Sequence, residues 1–285
     1  MNEHDAYPAP GLTPRRQNAR PWWSRADAAA ADLAAVVDPA IDALSPEGRE
    51  TMAAVWQERG NSELQVGSTF CAVTTQVIQY GGDEMVLTLL SQAMRDEVYH
   101  SQISVEMASR YRGDHTPIWP GPQPTHVPVF APSEGKLRAT LLVMTLCCIN
   151  ETVACGILEG QIAKVGSTLT KAAAQTILSD EIDHARAGWA HLASRQVGPA
   201  ILGQIGSWLP RLLSARLNEL AVEDAPPYPG EQFHDLGVLT RRERKTIVHA
   251  TLHEVMLPGF ARAGIDVGPA TQWADETFGP RTATG

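Results

Sequence analysis

The sequence has few cysteines and no excess of positive charge. Its 285 residues include four cysteines, Cys71, Cys147, Cys148 and Cys155. They lack the paired spacing of a zinc site, and without an export signal they are interpreted as reduced thiols. Lysine and arginine number 23 against 32 acidic residues, so the formal net charge is −9. That balance argues against a general binder of nucleic acids or of anionic membranes.

Long apolar runs and a secretion signal are also missing from the sequence. No uninterrupted apolar run reaches the roughly 18–20 residues that span a bilayer. The N-terminal residues MNEHDAYPAPGLTP contain neither a basic region nor an apolar core of the kind found in signal peptides. We therefore expect a cytoplasmic protein that does not associate with a membrane. With 44 % hydrophobic and 19 % charged residues, the chain has the composition of a globular protein with a sizeable core.

Convincing strand alternation is absent, so we predict an all-α fold. Residues 1–24 form a Pro-rich arm that ends near Trp22 and Trp23, and it is either a loosely docked tail or an arm packed on the body. The alanine-rich segment 24–37 predicts a helix with Ser24 as its N-cap. A further helix is predicted to begin at a proline near residue 46 and to end at Gly60.

Four longer helices are predicted at residues 61–80, 83–111, 134–165 and 168–196. Six prolines lie between residues 113 and 133 and exclude a helix there. Two short turns on either side of one long crossover are typical of a ferritin-like four-helix bundle. Additional helices are predicted at 207–223 and 240–263. The domain prediction is an arm at 1–24, a single helical domain at 25–263 with its four-helix core at 61–196, and an irregular tail at 264–285.

A repeated motif carries the predicted chemistry. Asp-Glu-x-x-His occurs twice, giving the pairs Glu97 with His100 and Glu181 with His184. At a spacing of three residues, both members of a pair lie on one helix face and can bind the same metal ion. One such pair is weak evidence, since Glu and His are common on solvated helix faces. Two pairs on two long helices of the right order are much more specific.

The other two helices each offer one further glutamate, which completes the ligand set of a di-iron carboxylate site. Glu151 lies within the apolar segment MTLCCINETVACGIL. A buried carboxylate there needs a metal ion or a partner such as arginine. Glu63 has a simpler alternative, because an acid in a first helical turn is favoured by the helix dipole. The predicted metal ligands are Glu63, Glu97, His100, Glu151, Glu181 and His184.

Supporting roles are predicted for residues next to these ligands. Asp96 and Asp180 precede the two motif glutamates, and each is predicted to accept a hydrogen bond from the metal-bound histidine of the opposite hairpin. The alternative is that both are simple surface acids. Small residues one turn from the ligands, among them Gly67 and Gly188, indicate either a pocket beside the metals or close packing of the helices.

On these motifs the chain resembles the ferritin-like non-haem di-iron oxygenases. It is most similar to the bacterial arylamine N-oxygenases of the p-aminobenzoate type, over about residues 60–195. The resemblance implies two carboxylate-bridged irons that activate dioxygen. One ligand of the N-oxygenases is missing, since Ile177 stands where they have an additional histidine. The six remaining ligands are those of the hydroxylating di-iron enzymes. Cys155 occupies the position of a small polar residue that those enzymes place near bound oxygen, so it is a catalytic candidate together with Asp96 and Asp180.

The predicted function is therefore that of a di-iron monooxygenase acting on a small organic molecule by N-oxygenation or hydroxylation, in specialised metabolism. Two iron ions are the expected cofactors, with a manganese–iron pair as the alternative. Electrons would come from a ferredoxin, a reductase or peroxide, since the sequence contains no flavin or iron–sulfur motif. A homodimer is expected. The alternative function is iron oxidation or peroxide detoxification, as in ferritins and rubrerythrins.

Overall fold

The structure, a computed structural model, describes residues 20–128, 135–221 and 230–279. Every regular element in these ranges is helical and none is a strand, so the all-α prediction is confirmed. Residues 1–19 of the predicted arm lie outside the described residues. So do residues 129–134 of the long loop, residues 222–229, and residues 280–285 of the predicted tail.

The predicted helix at 24–37 is wrong. This segment contains only two 3-10 turns, Trp22–Arg25 and Leu33–Ala35, and it leads into the short helix α1 (Pro39–Asp42). The reason is local, because two aspartates bond to backbone amides that belong to no α-helix. Asp27 accepts from the amide of Ala29 at 2.8 Å, and Asp32 accepts from the amide of Ala35 at 2.9 Å. Such bonds compete with the helical ladder, and alanine propensity alone does not outweigh them.

Four long helical elements follow. They are α2 (Pro46–Gln79), α3 (Glu84–Arg112), α4 (Gly135–Val143) joined to α5 (Thr152–Lys164) by a π-helical segment (Met144–Glu151), and α6 (Thr168–Ala193). Helices α2 and α3 pack against each other along most of their length, and α6 contacts α3, α5 and the π-helical segment. The predicted segments 83–111, 134–165 and 168–196 thus correspond to helices, with ends that differ by at most three residues within the described ranges.

The predicted helix end at Gly60 is wrong, because α2 runs through it without a break. Gly60 instead lets α3 approach, since a Cβ there would lie 2.9 Å from Cγ1 of Val105. The oxygen of Gly60 also accepts a 2.8 Å hydrogen bond from the Ser101 hydroxyl. Glu63 consequently lies in the middle of a long helix, so the helix-dipole explanation for an acid in a first turn does not apply to it.

The helix starts are fixed by side-chain caps and by one buried aspartate. Ser45, Asp83 and Ser167 are the N-caps of α2, α3 and α6, and each side chain accepts from backbone amides of the first turn. Asp38 ties the N-terminal segment to the start of α6. It accepts from the hydroxyl of Ser167 at 2.8 Å and from the amide of Leu169 at 2.9 Å. These bonds set the axial position of α6.

Smaller helices complete the fold. They are α7 (Pro199–Ile205), α8 (Leu209–Ala221), α9 (Arg241–Thr251), a second π-helical segment (Leu252–Met256), α10 (Leu257–Arg262) and α11 (Gly268–Phe278). Helix α11 contradicts the predicted irregular tail. A proline in its first turn favours the helix start, and Ala270, Ala274 and Phe278 bury one face at a spacing of four residues.

The α4–α5 element, including its π-helical segment, is long and apolar enough to cross a membrane by length and composition. This corrects the expectation that no segment meets that criterion. Of its most apolar window, 72 % is buried inside the fold. Its apolar side chains therefore serve the core, which agrees with a core helix of a soluble protein.

The described end of the arm packs on the body. Trp22 is 3 % exposed, and its indole nitrogen donates to a carboxylate oxygen of Glu106 on α3 at 2.8 Å. Of the two alternatives for the arm, the packed one applies to these residues.

Candidate metal centre

The six predicted ligands lie in one buried layer between the long helices. Glu63 comes from α2, Glu97 and His100 from α3, Glu151 from the end of the π-helical segment, and Glu181 and His184 from α6. None of them is more than 9 % exposed. Four helical elements thus bring the six predicted ligands together.

These side chains form two overlapping groups. One contains Glu63, Glu97, His100 and Glu181, and the other contains Glu97, Glu151, Glu181 and His184. Within each group, one ligand atom per residue lies within 4.8 Å of the others. Glu97 and Glu181 belong to both groups. A buried cluster of glutamate and histidine that could hold metal ions is therefore present.

The two histidines turn the same ring nitrogen toward these carboxylates. Nδ1 of His184 lies 3.1 Å from an oxygen of Glu97 and 3.1 Å from an oxygen of Glu181. Nδ1 of His100 lies 3.5 Å from Glu181 and 3.7 Å from Glu97. The ring centroids are 5.7 Å apart. Each imidazole thus offers Nδ1 to the interior of the cluster and Nε2 to its outside.

On the outside of the cluster, the two predicted supporting aspartates face the histidine of the opposite helix. Asp180 of α6 lies 3.3 Å from Nε2 of His100 on α3. Asp96 of α3 lies 3.8 Å from Nε2 of His184 on α6. The first contact is within hydrogen-bond distance and the second is longer. This crossed arrangement would hold both rings with Nδ1 turned inward.

Burial and mutual repulsion shift the titration of the cluster. Burial raises the pKa of Glu63 to about 7, against the opposing charge of Arg59. Burial also raises the pKa of Glu151 well above its usual range, and the charges of Glu181 and Glu97 add to the shift. For Glu181, burial raises the pKa, but the adjacent imidazoles of His100 and His184 outweigh burial and lower it. Without a metal ion, protons must therefore balance part of the buried charge.

The histidines show the complementary shift. Burial favours the neutral ring, but the adjacent carboxylates of Asp180, Glu181 and Glu97 outweigh burial and raise the pKa of His100 well above its usual value. The pKa of His184 is raised in the same way by Asp96, Glu181 and Glu97 against the effect of burial. Charged imidazoles between carboxylates are the arrangement that a metal cation replaces when it binds and displaces protons.

Several atoms of the cluster are buried without a hydrogen bond. They are both carboxylate oxygens of Glu97, one oxygen of Glu151, Nδ1 of His100 and Nε2 of His184. Buried polar atoms are normally paired, and each exception needs an explanation. Among the described residues, Arg59 is the arginine that forms an ion pair with one of the four carboxylates, at 2.8 Å from Glu63. The donor set, its excess negative charge and its unpaired ligand atoms all fit divalent cations.

Two thiols lie near the carboxylates, and one of them was missed from the sequence. Burial raises the pKa of Cys155 to about 12, and the charges of Glu181 and Glu151 contribute. Cys147 is completely buried, and burial together with Glu151, Glu97 and Glu181 raises its pKa well above the usual value. The pKa of Cys148 is raised by burial alone. The carboxylates of the cluster thus contribute to the shift of Cys147 and not to that of Cys148.

The wide turn of the π-helical segment explains this difference. It covers Met144–Glu151 and so ends on a predicted ligand. In a π-helix the backbone bonds from residue i to i+5, so stacked residues are further apart in sequence than in an α-helix. Cys147, four residues before Glu151, then shares its face. Such segments are frequent at functional sites.

The small residues beside the ligands serve helix packing. A Cβ at residue 188 would lie 2.7 Å from Cβ of Cys147 and 2.8 Å from the backbone nitrogen of Cys148. A Cβ at residue 67 would lie 3.2 Å from Cβ of Glu97. Of the two alternatives drawn from the sequence, close packing applies at both glycines.

A cavity of about 310 Å³ lies on the side of the π-helical segment. Apolar and short polar residues of α2, α4 and the π-helical segment line it, with Asn150 and Arg216 among the polar ones. The Nε of Arg216 donates to the amide oxygen of Asn150 at 2.7 Å. Arg216 comes from α8, 66 residues along the chain, and was not a candidate from the sequence.

Comparison with protein families, with curated proteins and with solved structures finds no match for this chain.

Proposed function

We propose that this protein is a non-haem di-iron oxygenase that uses dioxygen to oxidise a small organic molecule. The observation that carries the proposal is the pair of overlapping ligand groups that share Glu97 and Glu181. Four buried carboxylates carry four negative charges when ionised, and two divalent cations balance them. A single cation would leave one terminal glutamate unused.

In this proposal, Glu63 and His100 complete one iron site, and Glu151 and His184 complete the other. Glu97 and Glu181, which belong to both groups, would help to hold both ions. Oxygen ligands with imidazole suit iron or manganese better than softer metals, so a manganese–iron pair is the alternative. When bound, the ions supply the redox chemistry that reduces dioxygen. Since the ligands alone bring no electrons, an external ferredoxin, reductase or peroxide is required.

We infer that the helices α2, α3, α4–α5 and α6 form a ferritin-like four-helix bundle. Its support is the order of the connections, with tight turns between α2 and α3 and between α5 and α6, and a long crossover between α3 and α4. In bundles of this kind, facing helices supply glutamates and Glu-x-x-His pairs to one internal site.

The protein's own residues would orient the ligands and the substrate. Asp180 and Asp96 would hold the imidazole tautomers by accepting from Nε2. Cys155 and Cys147 would present protonated thiols beside the carboxylates. The 310 Å³ cavity, at the lower end of the usual size of ligand sites, would hold the organic substrate. Arg216 and Asn150 would bind a polar or carboxylate group, since guanidinium binds carboxylates well.

N-oxygenation and hydroxylation differ in the expected ligand set. Ile177, which stands in place of the additional histidine of the arylamine N-oxygenases, is completely buried in an apolar cluster with Leu158 and Ile103. The six-ligand site favours hydroxylation, and the resemblance in motif spacing favours N-oxygenation. We therefore propose the oxygenase class and treat the two reactions as outcomes of one experiment.

The experiment starts from apo protein loaded anaerobically with Fe(II). Metal content is measured first, and O₂ consumption is then followed with and without a panel of arylamines and aryl carboxylates, with ¹⁸O₂ as oxygen source. About two irons per chain and ¹⁸O transfer to one substrate class support the proposal. The matched variant is Glu151→Ala, which should retain about one iron per chain and should no longer transfer ¹⁸O to the substrate.

Two outcomes would contradict the oxygenase. Two irons with rapid O₂ consumption that no organic compound alters would indicate iron oxidation or peroxide detoxification instead. Chain that binds no iron after reconstitution would exclude the metal centre.

A further inference from the structure

A second opening lies on the opposite side of the cluster, between α3 and α6. It has a volume of about 500 Å³. Its polar wall contains three aspartates, one histidine, one glutamine and one arginine. These residues are Asp96, Asp180, Asp183, His184, Gln92 and Arg95. The described residues that line the 310 Å³ cavity, by contrast, include no acidic residue, and the charged or titratable ones are Arg216 and His126.

This acidic opening leads directly to the cluster. Asp180 lines it and lies 3.3 Å from Nε2 of His100. His184 is itself part of the wall, and its Nδ1 lies 3.1 Å from Glu97 and from Glu181. One imidazole ring therefore separates the opening from the two shared carboxylates.

The histidine in the wall supplies an independent sign of a ligand. His184 is 1 % exposed, and its Nε2 makes no hydrogen bond. The nearest carboxylate oxygen opposite this atom belongs to Asp96, at 3.8 Å. A buried ring nitrogen that borders an open acidic pocket is placed to meet a hydrated cation or its water.

The charges around the cluster are unequal on its two sides. On the α2 side, Arg59 contacts Glu63 at 2.8 Å, and on the π-helical side Arg216 borders the cavity. On the acidic side, Arg95 reaches Asp96 at 3.3 Å and Arg186 pairs with Asp183. These two arginine side chains are 63 % and 64 % exposed, so solvent can release them. On this side three aspartates line the approach to the buried carboxylates, and the arginines that face them are exposed.

We propose that this acidic opening is the route by which hydrated divalent metal ions reach the centre. Asp183 provides an attractive negative charge at the outer end of this route, and Asp96 and Asp180 provide negative charges at its inner end. Arg95 slows the entry of metal ions because it competes with them for Asp96. Clefts lined by one sign of charge concentrate counter-ions and raise association rates. The inference rests on the proposed metal centre and adds a path to it.

The test measures metal uptake and not catalysis. Co(II) is mixed anaerobically with the full-length apo protein, and its visible ligand-field absorption is followed by stopped flow. Asp183→Asn is expected to slow uptake about three- to tenfold and to weaken its dependence on salt, because one focusing charge is lost. Arg95→Gln is expected to accelerate uptake by a similar factor.

Further variants separate the route from general charge effects. Gln92→Arg adds a positive charge at an exposed wall position and should slow uptake. Glu276→Gln removes a distant acid that contacts Gln272 of its own helix, and Arg216→Gln alters the other cavity. Both should take up Co(II) at the wild-type rate. All variants should reach the same final occupancy, because none of these side chains is a proposed ligand.

The outcomes separate this inference from the proposed function. If wild-type protein takes up no Co(II), the metal centre itself is absent and both proposals fail. If uptake is normal but Asp183→Asn, Arg95→Gln and Gln92→Arg leave its rate unchanged, only the route is overturned. A faster rate in Arg216→Gln with no effect at the acidic wall would place the route on the opposite side.

Discussion

Asp180 of α6 lies 3.3 Å from Nε2 of His100 on α3, so the helix that carries one motif orients the histidine of the other. Asp96 faces His184 in the same crossed manner, at 3.8 Å. Each copy of Asp-Glu-x-x-His thus contributes its Glu and His to the cluster and its Asp to the opposite histidine. The aspartate of one copy therefore has its partner in the other copy, so the crossed contacts require both copies of the motif.

The first prediction concerns this crossed contact. Asp180→Ala should weaken equilibrium Co(II) affinity about 10- to 100-fold, since loss of the partner of a ligating histidine has effects of that size. The measurement is competition for Co(II) with a chelator of known affinity. Asp183→Ala, three residues away and exposed, is the matched control and should keep wild-type affinity. Equal affinities in both variants would show that Asp180 does not orient His100.

The second prediction concerns Arg216 and the 310 Å³ cavity. In the proposed function, Arg216→Gln should leave the iron content unchanged and raise KM for a carboxylate-bearing substrate by about one to two orders of magnitude, as expected for loss of a charged hydrogen bond. Steady-state O₂ consumption measures the change. Arg211→Gln on the same helix is the control, because Arg211 lies over the ring of Trp208 on the surface. An equal rise of KM in both variants would contradict a binding role.

Where the helices are regular, the sequence predicts which Glu and His side chains come together. In α3 and α6 the period of 3.6 residues holds, so the two Glu-x-x-His pairs can be assigned to one face from spacing alone. Prediction from this period fails where the chain changes from an α-helix to a π-helix. The π-helical segment Met144–Glu151 has no recognised compositional sign, and its wider turn puts Cys147, four residues before Glu151, on the same face as that glutamate.

Other features depend on tertiary packing and could not be derived from local sequence. Gly60 resembles a helix end but lies inside α2, where α3 packs against it. Arg216 meets Asn150 only because α8 packs near the π-helical segment. By contrast, α11 has a proline at its start and buried residues at a spacing of four, so the irregular tail was an avoidable error.

The third prediction tests the close approach of α6 to the π-helical segment. Gly188→Ala would place a Cβ 2.7 Å from Cβ of Cys147 and from Sγ of Cys148. Overpacking of this kind costs about 1–3 kcal/mol of unfolding free energy. Urea denaturation of the apo protein should show that loss, and metal occupancy should fall because Glu151 ends the displaced segment.

Gly203→Ala is the matched control for this substitution. Gly203 also lies in a helix, α7, but no atom outside that helix approaches a Cβ there within 4 Å. Alanine should therefore leave stability unchanged or raise it by up to about 1 kcal/mol. If Gly188→Ala and Gly203→Ala have the same unfolding free energy, the π-helical segment moves away from α6 without loss of stability. The close packing at Gly188 then does not hold that segment in place.

The last prediction is a pH dependence that arises away from the cluster. His191 is buried, and its Nε2 lies 3.2 Å from the hydroxyl of Thr140. That hydroxyl donates its hydrogen to the oxygen of Lys136, so Nε2 of His191 must be the donor to it. Burial, and then the charge of Lys136, lowers the pKa of His191 to about 4, against the weaker opposing effect of Asp83.

The sign follows from the two pKa values of His191. The unfolded chain, with a pKa near 6.5, takes up the proton first as the pH falls, whereas the folded protein stays neutral until about pH 4. Acid therefore favours unfolding, and His191 should remove up to about 3 kcal/mol of stability between pH 7 and pH 4. His191→Gln keeps an amide donor for Thr140 without a titrating group, so it should lack this component. The difference in unfolding free energy between wild type and His191→Gln, measured in urea across that range, should fall with acid. A difference that stays constant would mean that His191 is not held neutral in the folded protein.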